Sequence, residues 1–98
     1  MAIGLLATIT VQEGKNAEFE EAFLNLTEQV RSNEVGNIFY ALHRSPVDPQ
    51  VYRVMEQYEN QGALEAHGKT EYFLKASAQL ADLVARAPEI EVMEAVTR

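Results

Sequence analysis

NIFYALHRSPVDPQVYRVMEQYE, residues 37–59, contains two segments in which side-chain character alternates along the chain, separated by a loop with two prolines. Alternation is typical of β-strands, because successive side chains of a strand point to opposite faces. Pro46 and Pro49 cannot donate backbone hydrogen bonds to a neighbouring strand, so neither strand continues through the loop. The stretch therefore predicts a β-hairpin with strands at 37–44 and 51–59.

The alternation also distributes side chains between the two faces of the hairpin. In the first strand, one predicted face carries Asn37, Phe39, Ala41 and His43. In the second strand, Glu56 shares a face with the apolar Val54 and with Tyr58. A carboxylate in that position is either a buried acid–base group with a raised pKa or a strand-end group that reaches solvent or an arginine.

Helices and further strands are predicted on both sides of the hairpin. Apolar residues recur at helical spacing in residues 16–32 and from Glu71 to about Ala87, where Pro88 ends the helix. A short helix, 61–67, follows the cap residue Asn60. The remaining predicted elements are β-branched or alternating strands at 3–11 and 89–97.

The predicted order is β-α-β-β-α-β, the split β-α-β pattern, in which helices cover one face of an antiparallel sheet. Residues 1–98 then form a single α+β domain, as their number also suggests. Every predicted strand keeps apolar residues on both faces. We therefore expect a homodimer in which the uncovered sheet face meets a second copy of the chain.

Composition excludes several classes of function. The net charge of −7 makes nucleic acid an unfavourable partner, because phosphates would be repelled. The chain has no cysteine, which excludes disulfides, thiolate metal sites and a cysteine nucleophile. With two histidines, a metal cage of several imidazoles is not expected either. The sequence contains neither an apolar run of membrane-spanning length nor a signal-peptide pattern, so a cytoplasmic location without membrane contact is expected.

Four residues besides Glu56 could carry chemistry, and each also has a structural explanation. His67 is a candidate general base, or a residue that caps the short helix. Tyr58 could stack on a planar ligand, or pack in the core. Asn37 could donate its amide to a ligand oxygen, or form a turn. Tyr72 could present a hydroxyl at a pocket mouth, or pack in the core.

Three segments carry a resemblance to a known family. They are Glu56-Gln57-Tyr58-Glu59, then Ala63-Leu64-Glu65-Ala66-His67, then Thr70-Glu71-Tyr72-Phe73-Leu74-Lys75-Ala76. Together with Gly36-Asn37-Ile38-Phe39-Tyr40 upstream, they resemble the antibiotic biosynthesis monooxygenase family, and especially its quinol monooxygenase branch. The resemblance covers essentially the whole chain. It departs from the family pattern at Tyr58, where tryptophan is usual, and at Glu71-Tyr72, where Pro-His is usual.

The resemblance implies a dimeric α+β barrel of ferredoxin-like protomers. It also implies oxidation of a phenolic or quinol-type substrate by dioxygen, with no flavin, haem or metal cofactor. By position in the motif, His67 and Glu56 become candidate catalytic residues, with Glu56 orienting the histidine or relaying its proton, and Tyr72 stands where the second histidine is missing. The predicted substrate-binding residues are Asn37, Tyr58, Phe73 and His43. An exposed strand-end histidine is the alternative explanation for His43.

Three functions follow from these observations. The first is a cofactor-independent monooxygenase acting on a small aromatic molecule. The second is an isomerase of a small phosphorylated dione, as in relatives that act in autoinducer-2 breakdown, for which Arg44, Arg53 and Lys75 are the candidate phosphate ligands. The third is a non-catalytic dimeric domain that binds a small ligand. Haem degradation is not expected, because Ser77 stands at the position of that subfamily's iron-ligating histidine.

Overall fold

Four strands and three helices make up the structure, a computed structural model that describes residues 1–98. In chain order they are β1 (Ile3–Thr10), α1 (Asn16–Asn33), β2 (Asn37–Arg44), β3 (Val51–Tyr58), α2 (Gln61–Gly68), α3 (Glu71–Ala81) and β4 (Glu89–Glu94). The strands form one antiparallel sheet in the order β2-β3-β1-β4. The predicted ferredoxin-like α+β fold is confirmed. No helix combines the length and apolar character needed to cross a membrane.

The core lies between α1 and the sheet. The buried stripe of α1 contains Phe19, Phe23, Leu26 and Val30. Phe23 stacks on Tyr40 of β2 with ring centroids 5.7 Å apart, and Phe19 meets Tyr52 of β3 at 4.7 Å. Burying each such side chain contributes roughly 2 kcal/mol, so these contacts hold α1 against both strands of the β2–β3 hairpin.

The turn between α1 and β2 is pressed against α2. The Asn60 side chain caps α2 by accepting a 2.9 Å hydrogen bond from the Ala63 amide. Gly36, in the turn, accepts a 2.8 Å hydrogen bond from the Glu59 amide. A Cβ atom added to Gly36 would lie 2.6 Å from the Cβ of Ala63, so only glycine allows this approach. The contact sets where α2 sits relative to the end of α1.

Two predicted boundaries near the C-terminus are wrong. Helix α3 ends at Ala81 instead of continuing to about Ala87, and β4 ends at Glu94 instead of Thr97. After α3 the backbone pairs with the end of β1. The Ala85 amide donates to the Thr10 carbonyl at 2.8 Å, and the Gln12 amide donates to the Leu83 carbonyl at 3.0 Å. These hydrogen bonds replace the helical ones, which periodicity alone does not anticipate.

The predicted face of Asn37 is also wrong. A register shift lies between Asn37 and Phe39, so Asn37 pairs with Tyr58 while Phe39 pairs with Gln57. The extra residue, Ile38, forms a β-bulge that interrupts the alternation. Asn37 therefore does not share the face of Phe39 and His43.

The helices cover only one face of the sheet. On the opposite face, called the outer face below, Phe39, Met55 and Met93 are 40–46% exposed. The register of β1 with β3 and β4 brings Leu6 beside Met55, and Gly4 beside Met93. The outer face thus presents a patch of apolar side chains to solvent.

The contact at Gly36 predicts a specific coupling between two positions. Gly36→Ala should lower the free energy of unfolding by about 1–3 kcal/mol, because the new methyl group overlaps that of Ala63. Ala63→Gly alone should cost about 1 kcal/mol or less through helix propensity. In the double variant the overlap is gone, so the free energy of unfolding should fall by less than the sum of the decreases in the two single variants. Urea unfolding measures all three; additive losses would show that the contact is not tight.

Candidate functional site

A cavity of about 820 Å³ lies between the sheet and the helices, within the size range of small-molecule sites. Of its 22 lining residues, 16 are hydrophobic, so the cavity suits a largely apolar ligand. Its walls come from all four strands, all three helices and the segment that follows α3. The polar side chains among the lining residues are Tyr40, Glu56, His67, Ser77 and Arg86.

His67 lies in the last turn of α2 and is only 4% exposed. Its ring packs among three aromatic rings, those of Tyr40, Tyr58 and Phe73, with centroids 5.4, 5.4 and 4.6 Å away. Its Nδ1 lies 2.9 Å and 3.0 Å from the two carboxylate oxygens of Glu34. Because a carboxylate only accepts, Nδ1 carries a proton, and in the neutral tautomer of the ring the lone pair is on Nε2. Nε2 makes no hydrogen bond within the chain, so it is available to a ligand in the cavity.

Glu34, the residue that follows α1, is the carboxylate that holds His67. Its Oε2 also accepts a 2.5 Å hydrogen bond from the Tyr72 hydroxyl of α3. Burial, reinforced by this hydrogen bond to Glu34, raises the pKa of Tyr72 to about 12, so its hydroxyl remains a donor. One carboxylate therefore joins the end of α1, the end of α2 and the start of α3.

Sequence reasoning missed Glu34 and assigned the orienting role to Glu56. Glu34 lies at the C-cap of a helix, where neither helical nor strand periodicity applies. The one available signal was its position beside Val35-Gly36, the turn that packs on α2. The hydrogen bond of Glu56 goes to Tyr58 instead of His67.

Glu56 lies on the helix-facing side of β3 and is 7% exposed, so it is a buried acid and not a surface carboxylate. Burial raises its pKa from the usual 4.5 to about 7; the Tyr58 hydrogen bond opposes this shift and the charge of Glu34 adds to it. The Tyr58 hydroxyl donates to Glu56 Oε1 at 2.7 Å. Burial and the neighbouring Glu56 raise the pKa of Tyr58, which keeps this hydroxyl protonated. Near neutral pH, Glu56 is therefore poised to hold or release a proton.

The structure brings five of the seven predicted site residues into one cluster. These are His67, Glu56, Tyr58, Tyr72 and Phe73. His67, Glu56 and Phe73 line the cavity. Tyr58 donates to the lining residue Glu56, and Tyr72 is linked to His67 through Glu34, which lies behind the cavity wall. The cluster combines a histidine base and a protonatable carboxyl group in an apolar pocket, which suits proton abstraction from a ligand hydroxyl.

The other two predicted residues lie elsewhere. The Asn37 amide donates to the Phe39 carbonyl at 3.0 Å and the Gln57 carbonyl at 3.4 Å, so it supports the β-bulge. His43 is exposed on the outer face, opposite Arg53. Neither residue lines the cavity.

The cations considered for a phosphate site also lie outside the cavity. Arg44 is 3.4 Å from Glu20, Arg53 lies on the outer face, and Lys75 is exposed on α3. Arg86, in the segment after α3, lines the cavity instead. No group of three or more His, Cys, Asp or Glu side chains is arranged to hold a metal ion.

Comparison with known proteins agrees with the resemblance seen in the sequence. The profile of the antibiotic biosynthesis monooxygenase family matches residues 2–79 of this chain. That range runs from β1 through most of α3 and includes Glu34, Glu56 and His67. Among curated proteins, none matches this sequence.

Several solved structures have the same fold. A candidate antibiotic biosynthesis monooxygenase from Caulobacter crescentus CB15 is 45% identical, with a TM-score of 0.95, covering 98% of this chain and 91% of that one. A Pseudomonas aeruginosa protein is 29% identical, with a TM-score of 0.87, covering 98% of this chain and 95% of that one. A candidate monooxygenase of the same type from Nitrosomonas europaea has a TM-score of 0.93 at 23% identity, covering 97% and 90%. At that last identity the likeness shows the fold alone.

The raised pKa of Glu56 predicts how stability depends on pH. Between pH 4.5 and about 7 the folded state holds a proton on Glu56 that the unfolded state has released. The stabilisation from protonated Glu56 is therefore complete below pH 4.5 and is lost as pH rises through about 7, by up to roughly 3 kcal/mol. Glu56→Gln should remove this part of the pH dependence, as measured by urea unfolding. Glu65→Gln, which removes an exposed carboxylate of α2, should leave it; parallel profiles for native protein and Glu56→Gln would contradict the assignment.

Proposed function

Because the chain belongs to the antibiotic biosynthesis monooxygenase family, we propose that it oxidises a phenolic or quinol-type aromatic molecule with dioxygen and without a bound cofactor. The observation that carries this proposal is the His67–Glu34 contact at the wall of a largely apolar cavity. A buried base supported by a carboxylate matches the first requirement of the reaction, which is to ionise the substrate.

The first step is proton abstraction by His67. A substrate hydroxyl in the cavity gives its proton to Nε2, and the ring becomes an imidazolium. Glu34 stabilises that cation through Nδ1–H and holds the ring in one orientation, since its two oxygens lie 2.9 Å and 3.0 Å away. Tyr72 donates to the same carboxylate and so restricts its rotation.

Glu56 has a different task in this scheme. In its protonated form it can donate a hydrogen bond to the substrate oxygen that becomes negative, because Tyr58 occupies only Oε1. The two glutamates thus have different roles: Glu34 supports the base, His67, and Glu56 acts as the acid. Two carboxyl groups with different surroundings commonly take opposite roles.

Electrons and atoms balance without a further reductant. The ionised substrate supplies the four electrons that dioxygen accepts. A bond forms between one oxygen atom and a ring carbon, the O–O bond breaks, and the second oxygen leaves as water with the two hydrogens that the substrate loses. The substrate ends as a quinone-type product. The apolar walls of the cavity keep bulk water from the reactive intermediate.

We further propose that the outer face of the sheet pairs with a second copy of the chain. Phe39, Met55 and Met93 are exposed there, and such a patch on a sheet without covering helices suits an interface. The sheet-to-sheet dimer that the family resemblance implies would cover this face and leave the cavity, on the opposite side of the sheet, free for substrate.

Oxygen uptake tests the reaction. Metal-stripped, flavin-free protein should consume oxygen with one or more members of a panel of dihydroquinones and anthrones, above the spontaneous rate. His67→Ala should lower kcat by about a hundredfold to ten-thousandfold, the usual contribution of a general base. His43→Ala is the matched control, because it removes the other histidine from an exposed site outside the cavity.

The same assay separates a supporting carboxylate from a structural one. Glu34→Gln should lower kcat less than His67→Ala does, and adding it to His67→Ala should cause no further loss, because its effect passes through the histidine. No uptake with any member of the panel would contradict the proposal. Anaerobic conversion of a dione would then favour the isomerase, and ligand binding without turnover would favour a non-catalytic domain.

Light scattering tests the dimer. The native protein should have twice the 11.0 kDa mass of one chain, and Met55→Glu should shift it towards a single chain by burying a charge at the interface. Leu74→Glu, the same change at an exposed site on α3, should leave the mass unchanged. A native mass of 11.0 kDa at micromolar concentration would contradict a dimer.

A further inference from the structure

Tyr40 is a polar side chain of the cavity wall that the proposed scheme leaves unused. It lies on β2 directly opposite Glu56 of β3, and its contact with Phe23 of α1 shows that it points to the helix-facing side of the sheet. The Cβ atoms of such cross-strand neighbours are about 5 Å apart. Tyr40 also lines the cavity and is only 2% exposed. Its position therefore combines contact with the cavity and exclusion from bulk water.

The hydroxyl of Tyr40 has no partner within the chain. Arg31 Nη2 donates to Tyr40 at 3.2 Å, but to the backbone carbonyl and not to the side chain. The one side-chain polar atom that is both sealed from solvent and without a hydrogen bond is Gln57 Oε1. The Tyr40 hydroxyl is therefore unpartnered but not sealed. Because the buried side chain lines the cavity, this hydroxyl is open to the cavity.

The ring of Tyr40 is held on two sides. Phe23 stacks on it with planes 4° from parallel, and the His67 ring of α2 lies 5.4 Å away. The hydroxyl therefore has a fixed position before any ligand enters. Burial, with the charges of Glu56 and Glu34 adding to it, raises the pKa of Tyr40, so the hydroxyl stays protonated near neutral pH. It can donate a hydrogen bond, but it cannot act as a base.

Three polar atoms around His67 thus lack partners within the chain. They are Tyr40 Oη, Glu56 Oε2 and His67 Nε2. Tyr40 is the cross-strand neighbour of Glu56 and lies beside the His67 ring, so it contacts both of the other residues. Below about pH 7 the three atoms supply one acceptor, on His67, and two donors. An unpartnered buried donor costs free energy, which a ligand oxygen recovers by accepting the hydrogen bond.

We infer that Tyr40 is a third catalytic residue, whose hydroxyl donates a hydrogen bond to the substrate oxygen that gives its proton to His67. The inference rests on the proposed function, which makes that oxygen a phenolic one. The proton passes to Nε2, and the negative charge left on the oxygen is stabilised by two donors, Tyr40 and Glu56, whose positions are preset. Tyr40 keeps its proton throughout the neutral range, so one donor remains when Glu56 ionises.

Binding of a chromogenic phenol tests this inference without oxygen chemistry. The probes are para-nitrophenol and the larger nitronaphthol, whose ionised forms absorb differently from their neutral forms. Each is titrated anaerobically, at a pH where it is mostly un-ionised in water, and the native protein should bind it in the ionised form. Tyr40→Phe should bind both phenols about tenfold to a hundredfold more weakly, the usual effect of losing a hydrogen bond to a charged group. Calorimetry should show unchanged binding of nitrobenzene and nitronaphthalene, which lack the hydroxyl.

Tyr52→Phe is the matched control. Tyr52 lies on the same side of the sheet and is 1% exposed, but its hydroxyl donates to Glu20 and it does not line the cavity. This variant should bind the phenols as the native protein does. In urea unfolding it should have a lowered midpoint, because it loses that hydrogen bond. Tyr40→Phe should have an unchanged or raised midpoint, because it loses an unpartnered hydroxyl.

Several results would overturn the inference. If native protein and Tyr40→Phe bind the phenols equally, or if native protein does not bind them in the ionised form, the hydroxyl does not reach the ligand oxygen. An equal loss of binding for phenols and nitroarenes would show a purely structural role. An unfolding midpoint of Tyr40→Phe as low as that of Tyr52→Phe would show that the hydroxyl is bonded within the protein.

The outcome is separable from that of the proposed function. Tyr40-dependent binding of the ionised phenols by a protein that consumes no oxygen would contradict the monooxygenase and retain the donor. If the protein does consume oxygen, Tyr40→Phe should lower kcat by about a hundredfold to a thousandfold, the usual effect of removing one donor to a developing oxyanion. An unchanged kcat would retain the monooxygenase and overturn the role of Tyr40.

Discussion

The site depends on one carboxylate that serves two donors from different helices. Glu34 accepts from His67 of α2 and from Tyr72 of α3, and it follows directly after α1. The three helices therefore meet at a single carboxylate, next to a histidine that packs among aromatic rings. Such a group is stable in an apolar setting only when its hydrogen bonds are made, so the arrangement also fixes the helices relative to one another. The packing of Gly36 against Ala63 brings the two sides of this contact together.

The charge of Glu34 also affects the protonation of the nearby Glu56. Two carboxylates near each other in an apolar region cannot both be charged at low cost, and Glu34 already has a histidine beside it. Burial, with the nearby charge of Glu34 adding to it, raises the pKa of Glu56 to about 7, although the Tyr58 hydroxyl opposes the shift. The two acids thus have the same side chain but different partners, a histidine and a tyrosine for Glu34 and a tyrosine alone for Glu56. In the proposed scheme this difference lets Glu34 support the base, His67, while Glu56 acts as the acid.

Periodic sequence signals predicted most of the fold, and non-periodic segments account for the errors. The alternation in 51–58 correctly turned Glu56 towards the helices, and helical spacing located α1. Glu34 escaped notice because it caps a helix, and the end of α3 was predicted wrongly because the next segment leaves helical geometry to pair with β1. Asn37 was assigned to the wrong face because a single bulged residue reverses alternation. Sequence periodicity is local, so it does not show which distant strand a segment will form hydrogen bonds with.

The irregular segment after α3 lets the shape of the cavity wall vary independently of the buried polar cluster. The proposed acid–base groups lie on β3 and α2, whereas residues 85–88, which are exposed lining residues of the cavity, belong to no helix or strand. Substitutions in those residues change the exposed wall of the cavity while leaving the buried cluster in place, since none of them takes part in the hydrogen bonds of Glu34, Glu56 or His67. A lineage with this scaffold can therefore change which molecules it accepts without rebuilding its reactive centre. Ligand preference can thus change from one relative to another with little loss of the proposed activity.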